Sequence, residues 1–319
     1  MRRVVTGPTT VLSSVARNDE DVMVEAIIET FGGPSAIWWL AGAYFSMVIG
    51  ERLFYLIAGR RGYDNADALC SIGLNLMNSV IGLVVGLVLP LALYFVVYTD
   101  YRVMSLDALW LSIPVAFIIH ELAYYWEHRL GHRVGLFWAF HTIHHSSNAF
   151  NHTTAARGFF FDGKLQAVGA LAAAFAGVPP IVYFAVMALK NIYGIWNHAS
   201  YVGNLGWMEH VFVTPRNHMV HHANQPHYID KNFSQVLIIW DKMFGTFEPY
   251  RETPVVGLVR PVYDNNPLTA QFAGFSQLWD RMRIADHWQD RLAYLWRPPE
   301  WSHDGVCRSD CPKYAAPAE

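Results

Sequence analysis

Charge is scarce in this chain. Charged residues make up 15% of 319 and the net charge is -3, so there is no basic surface for a nucleic-acid backbone. Cysteine is scarcer still. Cys70, Cys307 and Cys311 do not make a disulfide framework, and the last two, in CRSDC, read as thiols of a polar tail. Several catalytic signatures are also missing. No G-x-G-x-x-G follows a strand pattern, so the chain is not expected to carry its own nicotinamide or flavin. No G-x-S-x-G provides a hydrolase nucleophile. Tyr124 stands where a zinc protease would need histidine after His120-Glu121. C-x-x-C-H, low-complexity tracts and long internal repeats are absent as well.

Apolar residues are abundant. They make up 53% of the chain, with mean hydropathy +0.18, which is high for a soluble domain of this size. Twelve tryptophans suit anchoring at a membrane interface. Residues 1–34 read as a polar lead-in, where Arg2 and Arg3 precede no long apolar core, so a cleavable signal peptide is not expected. Apolar blocks follow over about 34–59, 72–98, 106–126 and 165–189. The first is interrupted by Glu51 and Arg52, which implies a tilted, interfacial or internally paired helix. The second is the cleanest candidate for a single crossing. The fourth contains Val178-Pro179-Pro180, and tandem proline breaks a helix. It is expected to form a hairpin that dips in and returns. Arg129, Arg133, Arg157 and Lys164 bias this region toward the cytoplasm. The fold expected is all-α, a multi-pass membrane helical bundle. Residues 35–250 would form the membrane-embedded domain and residues 251–319 a cytoplasmic tail.

Histidine carries the chemistry. His128 and His132 frame HRLGH; His141, His144 and His145 form HTIHH; His218, His221 and His222 form HMVHH. Residues three or four apart share a helix face, and imidazole is the commonest side-chain metal ligand. A tetrahedral ion takes four protein ligands at most, so eight imidazoles imply two metals. They can meet only if the fourth apolar block returns to its starting side. His198, just beyond that block, is a candidate ninth ligand. His120 reads as a buried, hydrogen-bonded residue, His152, His210 and His227 as flanking residues, and His287 and His303 as residues of the tail. Ligand rings need acceptors for their second N–H, for which Glu121, Asp162, Glu209 and Asp241 are candidates. A non-catalytic histidine-rich membrane protein that binds or transports metal would show the same residues, as would a zinc-dependent membrane hydrolase.

The order H-x3-H, H-x2-HH, H-x2-HH after hydrophobic spans resembles the fatty acid hydroxylase / sterol desaturase superfamily of membrane di-iron oxygenases. Glu121, Tyr124-Tyr125-Trp126, Ser146-Ser147 and Thr214-Pro215 extend the likeness over roughly residues 40–250. Its latter half is most similar to the ether-lipid-cleaving alkylglycerol monooxygenases, through Asn204-Leu205-Gly206, Ile229-Asp230-Lys231-Asn232-Phe233 and the stretch from Val236 to Glu248. Arg133 departs from the animal enzymes, which carry glutamate there. The resemblance implies two Fe ions and a lipid substrate oxidised with O2 by hydroxylation or desaturation. It also implies electrons from an external donor, tetrahydrobiopterin or a redox protein. Sterol desaturation or hydroxylation is the competing activity within the superfamily. Asp241 is favoured among the second-shell acids by the same likeness.

Overall fold

The computed structural model describes residues 35–85, 88–260, 264–306 and 308. The lead-in, Cys307 and Cys311 lie outside the described residues. Among those described there is no β-strand. Only two isolated antiparallel bridges occur, Phe212 with Leu237 and Ala223 with Val256, and the all-helical expectation holds.

Among the described residues two helices are long and apolar enough to cross a membrane, Trp38–Ile57 within α1 (Ser35–Ile57) and α4 (Leu109–Arg133). The block over 72–98 is described on either side of residues 86 and 87. It falls on two helices, α2 (Asn65–Val85) and α3 (Val88–Asp100). The charges inside α1 are accommodated by partners. Glu51 is buried and accepts the His152 backbone N–H at 2.8 Å, while Arg52 lies over the Tyr63 ring.

The fourth apolar block folds back on itself. It comprises α6 (Gln166–Ala176) and α7 (Pro180–Trp196), joined at Gly177-Val178-Pro179. Gly177 has φ +91, and a Cβ there would lie 1.9 Å from the Met104 carbonyl oxygen, so only glycine makes this turn. Pro180 occupies the first turn of α7, where its missing N–H costs nothing. Both arms pack along α4. Leu165, just before α6, donates its N–H to Glu127 at 2.8 Å. The turn meets the segment before α4, where Leu106 N–H donates to the Gly177 carbonyl. On the return arm, Lys190 donates to Glu121 at 2.7 Å and to His120 Nδ1 at 2.7 Å. The Lys190–Glu121 pair is fully buried. Removing one partner would strand the other charge, at a cost of about 3–5 kcal/mol. The apolar core between these helices includes Tyr94, Ala116, Ala173, Val178 and Tyr183.

A single extended residue, Val134, separates α4 from α5 (Gly135–His145). Two of the histidine groups are thereby folded against each other. Gly135 donates its N–H to the Arg297 carbonyl, and a Cβ on it would meet the Tyr294 carbonyl oxygen at 2.0 Å. The turn between α4 and α5 is therefore pressed against the C-terminal region. There α10 (Pro267–Arg283) and α11 (Trp288–Trp296) cover α5 through Ala139, Leu278, Ala285 and Tyr294. Two short helices complete the bundle, α8 (Pro215–His221) and α9 (Ile239–Met243).

Candidate metal centre

The third histidine group sits on a very short helix. Thr214 caps α8 by accepting the Asn217 N–H, and Pro215 supplies a preset φ at its first position. α8 thereby turns His218, His221 and His222 inward onto α4 and α5.

Nine histidines converge, all buried, in two groups whose nitrogens lie within 4.8 Å of one another. One group holds His128, His132, His141, His145 and His221. The other holds His144, His198, His218 and His222. The two H-x-x-H-H groups thus play reciprocal parts. The outer pair of the first, His141 and His145, goes to the five-histidine set and its His144 to the other. The outer pair of the second, His218 and His222, goes to the four-histidine set and its His221 to the first. His198, carried to the site by α7, completes the smaller set.

The ring nitrogens point the same way. His132 Nε2 and His221 Nε2 each lie 3.1 Å from His145 Nε2. His218 Nε2 lies 3.2 Å from both His198 Nε2 and His222 Nε2. The Nε2 atoms of His128 and His141 are buried with no hydrogen-bond partner. Meanwhile six rings donate Nδ1–H outward. The acceptors are the Phe233 carbonyl for His128, Asp230 for His132, Asp162 for His141, the Arg157 carbonyl for His144, the Gly194 carbonyl for His198 and the Lys231 carbonyl for His221. Such rings present only lone pairs at Nε2. His132 and His221 therefore both aim lone pairs at His145 Nε2, which has at most one proton to offer, an arrangement that a bound cation relieves. Adjacent imidazole nitrogens on an ion with bonds of 2.0–2.1 Å lie about 3.0–3.4 Å apart, so the spacing fits a metal. Burial pushes His198 down to about 3, and holds His144, His145, His218, His221 and His222 well below the usual imidazole range. Neighbouring imidazoles push the last five in the same direction. Neutral imidazole is the form that ligates metal.

One stretch organises the larger set. Asp230, Lys231 and Phe233 supply acceptors to His132, His221 and His128. Asp230 and Asn232 adopt φ of 60 and 55, a left-handed conformation that Asp and Asn tolerate best among non-glycine residues. Asn232 is fully buried and donates to the Asn217 and Glu248 carbonyls. Asp241 is also buried, which pushes its carboxyl up, although it accepts from Phe233 N–H, Ser234 N–H and Thr246. It acts on the site through the Phe233 backbone, since it touches none of the nine rings. Glu121 likewise touches none of them; it pairs with Lys190 and accepts the Leu237 N–H at 2.9 Å. Glu209 faces Arg216 and the Leu205 N–H. The carboxylates that do meet the rings are Asp162, anticipated from the sequence, and Asp230, which was not. Burial pushes Asp230 up, but its hydrogen bond from His132 and its pairing with Arg133 outweigh this and hold it below the usual carboxylate range. Arg133 bridges Asp230 at 2.6 Å and Glu300 at 3.0 Å.

The remaining histidines stay outside the two sets. His120 contacts Lys190. His152 faces the Met47 carbonyl at 3.1 Å, His227 pairs with Glu252, and His303 meets the Tyr294 hydroxyl.

A cavity of about 740 Å3 opens onto the rings of His128, His141, His144, His198 and His218. Leu40, Tyr44, Phe45, Leu76, Phe159 and Phe160 give it an apolar wall, and its size suits a ligand of several hundred daltons.

The fatty acid hydroxylase family model matches residues 113–246. The chain is 33% identical to alkylglycerol monooxygenase of Homo sapiens over 74% of its own length and 53% of the relative. It is 34% identical to that of Xenopus tropicalis over 66% and 47%. It is 29% identical to ornithine lipid hydroxylase OlsE of Rhizobium tropici over 43% and 41%. The chain spans about half the length of the alkylglycerol monooxygenases it matches. No solved structure matches it.

Proposed function

The chain belongs to the fatty acid hydroxylase superfamily, and from that membership we propose that it is a membrane-bound di-iron oxygenase that hydroxylates a lipid C–H bond with O2, with an ether lipid as substrate. The observation that carries this reading is the meeting of two sets of buried imidazoles with an apolar-walled cavity. His128, His132, His141, His145 and His221 would hold one iron; His144, His198, His218 and His222 would hold the other. When bound, the iron pair supplies dioxygen activation at a C–H bond. The protein's own part is to exclude water, keep the rings neutral and orient them. The carbonyls of Arg157, Gly194, Lys231 and Phe233, with Asp162 and Asp230, fix six of the nine rings by their second nitrogen. The apolar wall would align an alkyl chain so that the carbon beside the ether oxygen lies nearest the histidines.

Hydroxylation at that carbon consumes one O2, two electrons and two protons, and yields a hemiacetal and water. The hemiacetal then separates into an aldehyde and an alcohol. The electrons come from an external donor. The multi-pass arrangement, the cytoplasmic placement of the histidines and the assignment of residues 251–319 to a cytoplasmic tail belong to the same proposal. The test is purification with iron analysis, followed by incubation with a 1-O-alkylglycerol, O2 and a reductant. Two irons per chain and release of a long-chain aldehyde are expected. Zinc in place of iron, or metal binding without oxygen uptake, would overturn the reading in favour of a hydrolase or a metal carrier.

A further inference from the structure

The two histidine sets are reached by two separate openings. The large cavity touches His128, His141, His144, His198 and His218. A second pocket, of about 40 Å3, touches three different rings, His132, His145 and His221, all of the five-histidine set. This volume is on the order of three times the minimum that one water needs, and far below the roughly 300 Å3 at which cofactor and drug-sized pockets begin. A lipid, a pterin or a haem cannot enter it.

Its walls are mostly apolar, with Trp138, Ala223, Leu258 and Pro299 among them. Its two carboxylates, Asp230 and Glu300, both lie against the one guanidinium of Arg133. Trp138 is 6% exposed and packs on the His132 and His145 rings.

We propose that this pocket is the entry and holding place of dioxygen, distinct from the lipid cavity. The proposal rests on the oxygenase reading above. A lipid lying in the large cavity covers the five rings that line it, so a second reactant needs another approach. Among the described residues, the small pocket offers one to the five-histidine set, through His132, His145 and His221. Trp138, Ala223 and Leu258 would form the apolar wall against which dioxygen rests.

Two measurements test this. Crystals of the iron-loaded protein under xenon pressure should show xenon between Trp138, Ala223 and Leu258, as apolar cavities bind this gas. Xenon in the large cavity alone would overturn the assignment. The pocket can also be filled, by Ala223→Phe and independently by Leu258→Trp. Each should raise the KM for dioxygen on the order of tenfold, with iron content and the KM for lipid unchanged. An unchanged KM for dioxygen in a variant that retains its iron would overturn the port and leave the oxygenase reading standing. A wild-type chain that consumes no dioxygen would overturn both. If both filled variants lose iron, the xenon result decides.

Discussion

At the residue scale, the site depends on which nitrogen each ring turns inward. His198 belongs to the four-histidine set, and its Nδ1–H is held by the Gly194 carbonyl at 2.9 Å. His198→Ala should therefore lower iron from two to one per chain and abolish oxidation, whereas His152→Ala, outside both sets, should leave two irons; elemental analysis distinguishes them. Asp230 orients His132 at 3.2 Å. Asp230→Asn keeps an acceptor and tolerates the φ of 60, so iron affinity should fall by about tenfold. Asp230→Ala removes the acceptor and strains the backbone, and the loss should approach about a hundredfold. Competition with a chelator of known affinity measures both. The three box motifs could be read from the sequence because their spacing is itself a helical face. Asp230 could not, because nothing in Ile229-Asp230-Lys231 announces that the chain brings it back to α4. The backbone carbonyls that hold four other rings leave no mark in any sequence.

At the element scale, the hairpin of α6 and α7 decides whether there is one site or two half-sites. Tandem proline announced a break, but a break can also be a kink within a crossing. The tertiary contacts distinguish the two. Leu165 meets Glu127 and Gly177 meets Leu106, while His198 returns to His218. Gly177→Val would combine a disfavoured φ with a backbone overlap at Met104. It should destabilise the protein by about 2–4 kcal/mol, seen as a lower Tm and loss of the iron held by the four-histidine set. The stretch from Asp230 to Phe233 is the other deciding element. It orders three rings, yet it has no regular secondary structure, and its own order comes from Asn232 and Asp241. The family likeness drew attention to Asp241, but only the fold shows that it works through the Phe233 and Ser234 amides.

At the scale of the whole molecule, nine imidazoles in one place are poorly served without cations. Chelation of iron should lower Tm, and readdition of ferrous iron should restore it; saturation at 100 to 1,000 times Kd corresponds to about 3–4 kcal/mol. The proposed topology also has a direct check. Asn148→Cys and Gly203→Cys lie at exposed positions on either side of the hairpin. An impermeant thiol reagent should label both from the same face of sealed vesicles, after Cys70, Cys307 and Cys311 are replaced. Labelling from opposite faces would contradict the hairpin topology.

The amino-acid sequence by itself determined the helical class, the ligand type and the need for a break at Val178-Pro179-Pro180, because composition and spacing act locally along a chain. Through family likeness it also supplied lipid oxidation as the chemistry proposed for the site. Only the tertiary structure decided how nine histidines divide into sets of five and four, which carbonyls and carboxylates orient them, and that two separate pockets reach them. Those outcomes depend on groups far apart in the chain meeting at distances near 3 Å, and no local pattern encodes such a meeting.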